Sequence, residues 1–156
     1  MANIDVFYSK KSDDWKTPSK LYEAFIKRGF IDPCPYKSLK DGLTYNFYNT
    51  RLFINPPFSK MSIWVEWAIN QYYNNCDIVF LIPARTDTKY FHKLLNYNPE
   101  IYFIKGRLHY NDSEKNAPFP SLLIVLKRQI LNKYENYYHS IDFENIINLI
   151  KEEDLL

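Results

Sequence analysis

The chain has 156 residues, enough for one domain with a sizeable core but too few for a catalytic domain joined to a separate large recognition domain. Its formal net charge of +2 neither demands a nucleic-acid partner nor repels phosphates as an acidic surface would. No window approaches the roughly 18 apolar residues of a membrane span, and no apolar run at the N-terminus predicts a secretory leader.

Cysteine and histidine usage bears on the cellular compartment and on metals. The two cysteines have neither metal-ligand spacing nor the density of a secreted disulfide framework, and the three histidines are scattered. We therefore expect no metal and a reducing cytoplasm. The chain also has 14 Tyr and 11 Phe, which suit a core as well as base stacking, and only 3 Gly.

The N-terminal quarter contains one predicted helix. Residues 1–14 are polar, and we expect them to be flexible. A helix is predicted to begin after Thr17-Pro18 and to end at Gly29, because a capping threonine and a proline precede apolar residues at helical spacing. Phe30-Ile31 predicts a very short strand, which the prolines that follow Asp32 bring to an end.

The middle of the chain alternates strand, helix and strand, as a parallel unit does. Residues 52–54 form an apolar strand that two prolines stop directly after Asn55. Ser59 is predicted to cap a helix whose apolar stripe includes Ile63, and residues 78–82 form the next buried strand.

The same alternation continues toward the C-terminus. Asp87 or Thr88 is predicted to cap a short helix, and residues 101–104 form a third core strand. Residues 107–110 and 121–126 predict an antiparallel hairpin at the edge of the sheet. Residues 134–139 have no clear pattern, and residues 143–150 predict an amphipathic helix. The expected fold is α/β, with a mostly parallel sheet and an antiparallel edge.

Polar side chains follow three of the predicted strands. Asp32, Asn55 and Arg85 each lie beside prolines where a strand ends. In open parallel sheets, ligands bind outside the carboxyl ends of the strands. We therefore expect these three side chains to converge on one cleft.

The motif Asn55-Pro56-Pro57-Phe58 fits the methylation of an exocyclic amine. Such an amine is a weak nucleophile, so hydrogen-bond acceptors must bind its two N–H groups to activate it. The Asn55 side-chain oxygen and the Pro56 carbonyl can accept them, because tandem prolines fix the backbone. Phe58 offers a face on which a base can stack, and a base from a duplex must first be flipped out. A bare Asn-Pro-Pro is more often a simple turn, but its place after a buried strand is more specific.

Seven motifs follow one another between about Trp15 and Leu126. They are Asp14-Trp15-Lys16-Thr17-Pro18, Asp32-Pro33-Cys34, Asp41-Gly42-Leu43, Asn55-Pro56-Pro57-Phe58, Pro83-Ala84-Arg85-Thr86-Asp87-Thr88, Gly106-Arg107-Leu108 and Ala117-Pro118-Phe119-Pro120-Ser121. In this order they resemble the phage-type DNA N6-adenine methyltransferases, the Dam-like family found in phages and prophages. The resemblance implies a single Rossmann-like methyltransferase domain over residues 15–156, acting on double-stranded DNA in the cytoplasm of a host bacterium.

The resemblance also implies roles for individual residues. The catalytic residues would be Asn55, Pro56, Pro57 and Phe58. The residues that contact S-adenosylmethionine would be Trp15, Thr17, Pro18, Asp32, Pro33, Cys34, Asp41 and Asn55. Thr17 and Pro18 are equally explained by helix capping, and both roles can coexist.

Four further residues are candidates for DNA contact. Arg85 and Arg107 follow strands beside the proposed cleft, where guanidinium groups pair with phosphates or with a cofactor carboxylate. A structural ion pair explains either arginine equally well. Lys115 and Asn116 lie in a polar loop that can reach a DNA groove or can simply be solvated.

Two features depart from the usual pattern of amino-methyltransferases. The loop after Asp32 has no glycine to let the backbone approach a cofactor. Only 23 positions separate Asp32 from Asn55, too few for two strand–helix units of about 30 residues each, so the sheet must be reduced on that side. The alternatives are a weak or inactive DNA-binding homologue, or an enzyme that methylates cytosine N4, RNA or a protein glutamine.

Overall fold

A five-stranded sheet forms the centre of the computed structural model, which describes residues 13–128, 138–152 and 155. The strands are β1 (Arg51–Ile54), β2 (Asp77–Pro83), β3 (Glu100–Ile104), β4 (Ser121–Leu126) and β5 (Tyr138–Ile141). Their spatial order is β1-β2-β4-β3-β5. β1 pairs with β2 and β3 pairs with β5 in parallel, whereas β4 is antiparallel to both of its neighbours. Four strands therefore run in one direction, and their carboxyl ends share one edge.

Two helices cover each face of this sheet. They are α1 (Ser19–Lys27), α2 (Met61–Tyr73), α3 (Lys89–Leu95) and α4 (Phe143–Lys151). Alternate strand residues such as Phe53 and Leu81 pack with α1 and α4, and their neighbours Leu52 and Phe80 pack with α2 and α3. The strands are apolar on both faces because both faces are covered.

The α/β class and four of the strands are confirmed, but the predicted antiparallel edge hairpin is wrong. β4 lies inside the sheet between β2 and β3, and residues 107–109 form no strand. All six residues of β4 are buried, which requires neighbours on both sides as well as helices on both faces. The sheet is mixed, with one internal antiparallel strand.

The predicted reduction of the sheet is found beside β1. In the described part of the chain, β1 is an edge strand, extended only by an isolated parallel bridge between Ile31 and Leu52. β5 was missed, because residues 134–139 lack a clear sequence pattern. Residues 134–137 of that segment lie outside the described residues. The predicted stripe of α2 is wrong at Ile63, which is 56% exposed.

The predicted side-chain caps of three helices are wrong. Thr17, Ser59 and Thr88 make no capping hydrogen bond at α1, α2 and α3. Each hydroxyl is engaged elsewhere: Thr17 accepts from Asn55, Ser59 donates to Asp13, and Thr88 donates to the Arg85 carbonyl. Long-range partners have replaced the caps at Thr17 and Ser59, whereas Thr88 bonds locally to the turn that precedes its helix.

The expected boundary between a flexible N-terminus and a domain over residues 15–156 stays a prediction. Most of the expected flexible segment 1–14 lies outside the described residues, which begin at Asp13. None of the helices in the described ranges is long and apolar enough to cross a membrane.

Candidate functional site

A cavity of about 360 Å³ lies at the carboxyl end of β1. Its volume is within the range of small-molecule sites. Seven residues with predicted roles line it: Trp15, Thr17, Asp32, Cys34, Asn55, Pro56 and Pro57. A neighbouring cavity of about 720 Å³ shares Cys34 and Pro57 with it and adds Asp41. Of the three polar strand ends expected to converge, Asp32 and Asn55 meet here and Arg85 does not line the cavity.

The Asn55 side chain is held in one orientation. Its Nδ2 donates to the Trp15 carbonyl at 2.7 Å and to Thr17 Oγ1 at 3.0 Å. A backbone carbonyl can only accept, so the amide nitrogen must face Trp15 and the oxygen must face the other way. Asn55 Oδ1 is buried and accepts no hydrogen bond from the residues that the structure describes. A buried acceptor left in this state costs about 1–3 kcal/mol, which a ligand donor would recover.

The backbone around Asn55 is fixed from both sides. Pro56 and Pro57 have no N–H and end β1, and Pro57 precedes a short 3₁₀ turn, Phe58–Lys60. The Asn55 carbonyl accepts from the Cys34 thiol, with 3.6 Å between oxygen and sulfur. The Ser59 N–H donates to Asp13 at 2.9 Å. Proline geometry and contacts from distant segments together place the acceptor.

Four aromatic rings form a cluster beside this acceptor. Phe119 packs edge-on against Trp15 at 5.0 Å and against Phe58 at 5.3 Å between ring centroids. Tyr110 completes the cluster, and its buried hydroxyl lies 2.9 Å from Ser121 Oγ. Phe58 was predicted to offer a stacking face, whereas Phe119 and Tyr110 were assigned no role. The single signal for Phe119 was its position within the last motif.

Asp32 and Cys34 form a pair with shifted acidity. Cys34 N donates to Asp32 Oδ1 at 2.9 Å. Burial raises the pKa of the Asp32 carboxyl to about 6, although this hydrogen bond opposes the shift. Burial, with the nearby Asp32 charge, raises the pKa of the Cys34 thiol well above its usual range. The thiol is therefore a neutral donor at pH 7, and the carboxylate titrates near neutrality. Burial also raises the pKa of Tyr22, which lines the same cavity.

Gly42 allows the loop after Asp32 to pack closely. A Cβ atom at Gly42 would lie 1.7 Å from the Pro33 carbonyl oxygen and 3.1 Å from the Trp64 ring. Asp41 accepts from Leu43 N at 3.1 Å and so shapes the 3₁₀ turn Gly42–Thr44. Gly42 is thus required for close packing between this turn and the loop after Asp32. Glycine is rare in this chain, and this rarity was the sequence signal available for Gly42.

The two remaining prolines with predicted cofactor roles, Pro18 and Pro33, lie outside the lining of the cavity at Asn55. Both are buried. Pro33 lines a smaller depression of about 230 Å³ together with Asp32 and Gly42. Pro18 precedes α1, and its carbonyl accepts from the first turn of that helix. Their positions suit a supporting role.

The four predicted DNA contacts are exposed and line neither of the two larger cavities. Arg85 follows β2, and Arg107 follows Gly106 at the end of β3. Lys115 and Asn116 precede Ala117, whose N–H donates to the Leu108 carbonyl. All four lie toward the edge of the sheet where Asn55 is found, outside the cavity itself.

No group of three or more His, Cys, Asp or Glu side chains within residues 13–128 and 138–152 could hold a metal ion. The candidate site is built instead from one oriented amide, two prolines, a titrating carboxyl group and an aromatic cluster. This set of groups can bind a planar amine donor and a small polar cofactor.

Comparison with known proteins identifies the family. The chain matches no curated protein and no solved structure. The family profile described as DNA N-6-adenine-methyltransferase (Dam) matches residues 7–145, which is most of the chain and includes both Asp32 and Asn55. The match extends beyond residues 15–126, over which the seven motifs were found. The chain therefore belongs to the DNA N-6-adenine-methyltransferase (Dam) family.

Proposed function

We propose that this protein transfers a methyl group from S-adenosylmethionine to N6 of an adenine flipped out of double-stranded DNA. The observation that carries the proposal is the buried Asn55 Oδ1. It is oriented by the two hydrogen bonds that the Asn55 amide nitrogen donates to Trp15 and Thr17, and it accepts none from the described residues. An adenine amine offers the donor that this oxygen lacks.

The chain's acceptors activate the amine by hydrogen bonding. Asn55 Oδ1 and the Pro56 carbonyl each accept one N–H of the adenine amine, which draws lone-pair density from the ring onto nitrogen. These acceptors are fixed before the reaction, so little reorganisation is needed when charge develops. Phe58 and the cluster with Trp15 and Phe119 stack against the base and help to offset the few kcal/mol that flipping costs.

The residues around Asp32 fit S-adenosylmethionine. The Asp32 carboxylate can accept from hydroxyl or ammonium groups, and Trp15 and Tyr22 supply aromatic walls to the same cavity. Thr17, Cys34 and Asp41 complete the proposed contacts. When bound, the cofactor supplies an electrophilic methyl group. Pro18 and Pro33 would hold this part of the site in shape.

Arg85, Arg107, Lys115 and Asn116 are the proposed DNA contacts. All four are exposed, and they lie toward the edge of the sheet that carries Asn55. Guanidinium and ammonium groups there would bind phosphates and position the duplex, and Asn116 would reach a groove. This arrangement keeps the DNA backbone outside the cavity that would receive the flipped base and the cofactor.

Cofactor affinity is expected to rise with pH through about 6, because the pKa of Asp32 is raised to about 6 and its ionised form is the better acceptor. Calorimetry with S-adenosylmethionine at about pH 5 and about pH 7 measures this change, and Asp32→Asn should remove most of it. Equal pH dependence in both proteins would contradict the assignment. The same shift means that the Asp32 contribution to stability is greatest below its unfolded pKa and declines as the pH rises through 6.

Nucleoside mass spectrometry of treated double-stranded DNA tests the reaction itself. After incubation with S-adenosylmethionine we expect N6-methyladenine in the digest. N4-methylcytosine in its place would replace the proposed acceptor. So would methylation of RNA or of protein glutamine in parallel assays, if the DNA gives no product. DNA binding without any calorimetric signal for the cofactor would instead identify an inactive homologue.

A further inference from the structure

Residues 13–17, which we call the strap, are hydrogen-bonded to three other segments of the chain at the candidate site. Asp13 accepts from Ser59 in the turn after the catalytic prolines. The Asp14 carboxylate accepts from the Tyr36 hydroxyl in the loop after Asp32. The Trp15 carbonyl accepts from the Asn55 amide. The orientation of Asn55 therefore depends on where the strap lies.

Asn111 holds the strap through three hydrogen bonds. Its Nδ2 donates to the Asp14 carbonyl at 2.7 Å, and its Oδ1 accepts from Lys16 N at 2.9 Å. Its backbone N–H donates to the Lys16 carbonyl at 2.9 Å. The two anchored residues flank Trp15, whose carbonyl orients Asn55. One side chain thus fixes the backbone on both sides of the group that orients the proposed catalytic amide.

The backbone at Asn111 is also unusual. It has a φ of 60°, and the next residue, Asp112, has a φ of 51°. Left-handed conformations at non-glycine residues cost of order 1 kcal/mol or more, and they concentrate at functional sites. Asp112 uses this conformation to accept from Ser19 N at 2.8 Å at the start of α1. Two adjacent strained residues therefore anchor both the strap and the helix that follows it.

We propose that Asn111 is a positioning residue for methyl transfer, acting through the strap on the orientation of Asn55. This inference rests on the proposed function for its catalytic consequence. Asn111 does not line the cavity, so it has no contact with a ligand bound there. In a variant that lacks the Asn111 side chain, only one of the three hydrogen bonds between residue 111 and the strap remains. The Trp15 carbonyl is then less well placed.

Asn111→Gly is the informative variant, because glycine adopts the left-handed backbone without strain and removes only the side-chain bonds. Asn98→Gly is the matched control. Asn98 also has a positive φ, of 48°, and lies before β3 at the opposite end of the sheet from Asn55. Both variants gain freedom in the unfolded chain and lose the strain of a left-handed asparagine, so their melting temperatures should differ mainly by the effect of the lost hydrogen bonds.

We expect Asn111→Gly to lower the single-turnover methylation rate by about 10-fold or more, since small misplacements at a reacting centre have large effects. The Asn98→Gly rate should be unchanged. The side-chain amide signals of Asn55 in a ¹⁵N spectrum should shift in the first variant and not in the second. Unchanged Asn55 signals, or a normal rate despite shifted signals, would overturn the inference. The amide signals report on the strap even if the protein does not methylate adenine and the proposed function fails.

Discussion

Replacing Asn55 by alanine is expected to lower adenine methylation by at least about 100-fold, the scale of losing one preorganised hydrogen-bonding group at a reacting centre. The variant lacks the oriented acceptor, and the Pro56 carbonyl alone cannot engage both N–H groups of the amine. Product formation per enzyme in a single-turnover assay measures the loss. Methylation at the wild-type rate in this variant would refute the proposed mechanism.

Thr17→Val tests the orientation of Asn55 when the rate is measured at saturating S-adenosylmethionine, because Thr17 is also a proposed cofactor contact. Valine keeps the shape of threonine but removes the Oγ1 that accepts from Asn55 Nδ2, while the bond to the Trp15 carbonyl remains. We expect a smaller loss of rate than in Asn55→Ala. Asn70→Ala serves as the control for asparagine removal, because Asn70 is an exposed residue of α2. It should leave the rate unchanged.

Gly42→Ala is expected to abolish tight cofactor binding. The added Cβ would lie 1.7 Å from the Pro33 carbonyl oxygen, a backbone atom that cannot move without displacing the loop that carries Asp32 and Cys34. Overpacking of this kind costs about 1–3 kcal/mol of stability or more. Calorimetry with S-adenosylmethionine measures the loss of cofactor binding, and thermal unfolding measures the loss of stability.

Gly106→Ala is the matched control for this glycine. No atom lies within 4 Å of a Cβ built at Gly106, but its φ of +76° disfavours alanine. We therefore expect a modest loss of stability from backbone strain and an unchanged dissociation constant for the cofactor. If both variants bind the cofactor like the wild type, close packing between Gly42 and Pro33 does not shape the site.

Sequence reasoning placed the secondary structure well where the signals are local. The strands at 52–54, 78–82 and 121–126 are apolar runs, and prolines beside them mark where they begin or end. Their pairing is a different matter. The antiparallel position of β4 between β2 and β3 depends on which strands pair with one another across the sheet. No local sequence pattern encodes this pairing.

The candidate site was predictable in its motifs and less so in its supports. Asp32 and Asn55 were placed together because both follow strands whose carboxyl ends share one edge. Thr17 was expected to contact the cofactor, to cap α1, or both, and its hydrogen bond to Asn55 was not foreseen, since the two residues lie 38 positions apart. Asn111 carried no signal at all, because its importance arises from a left-handed backbone and from contacts across 95 or more positions.

The internal position of β4 has a consequence for the order in which the protein can fold during synthesis. β2 and β3 are separated in the sheet by a strand that follows both in the chain, so β2 lacks one of its two neighbours until residue 126 has been made. β3 pairs with β5 as well, so its backbone partners are complete only at residue 141. A nascent chain that ends before β4 therefore lacks the strand at the centre of the sheet. The complete sheet can form only after long-range strand pairing, which is slow.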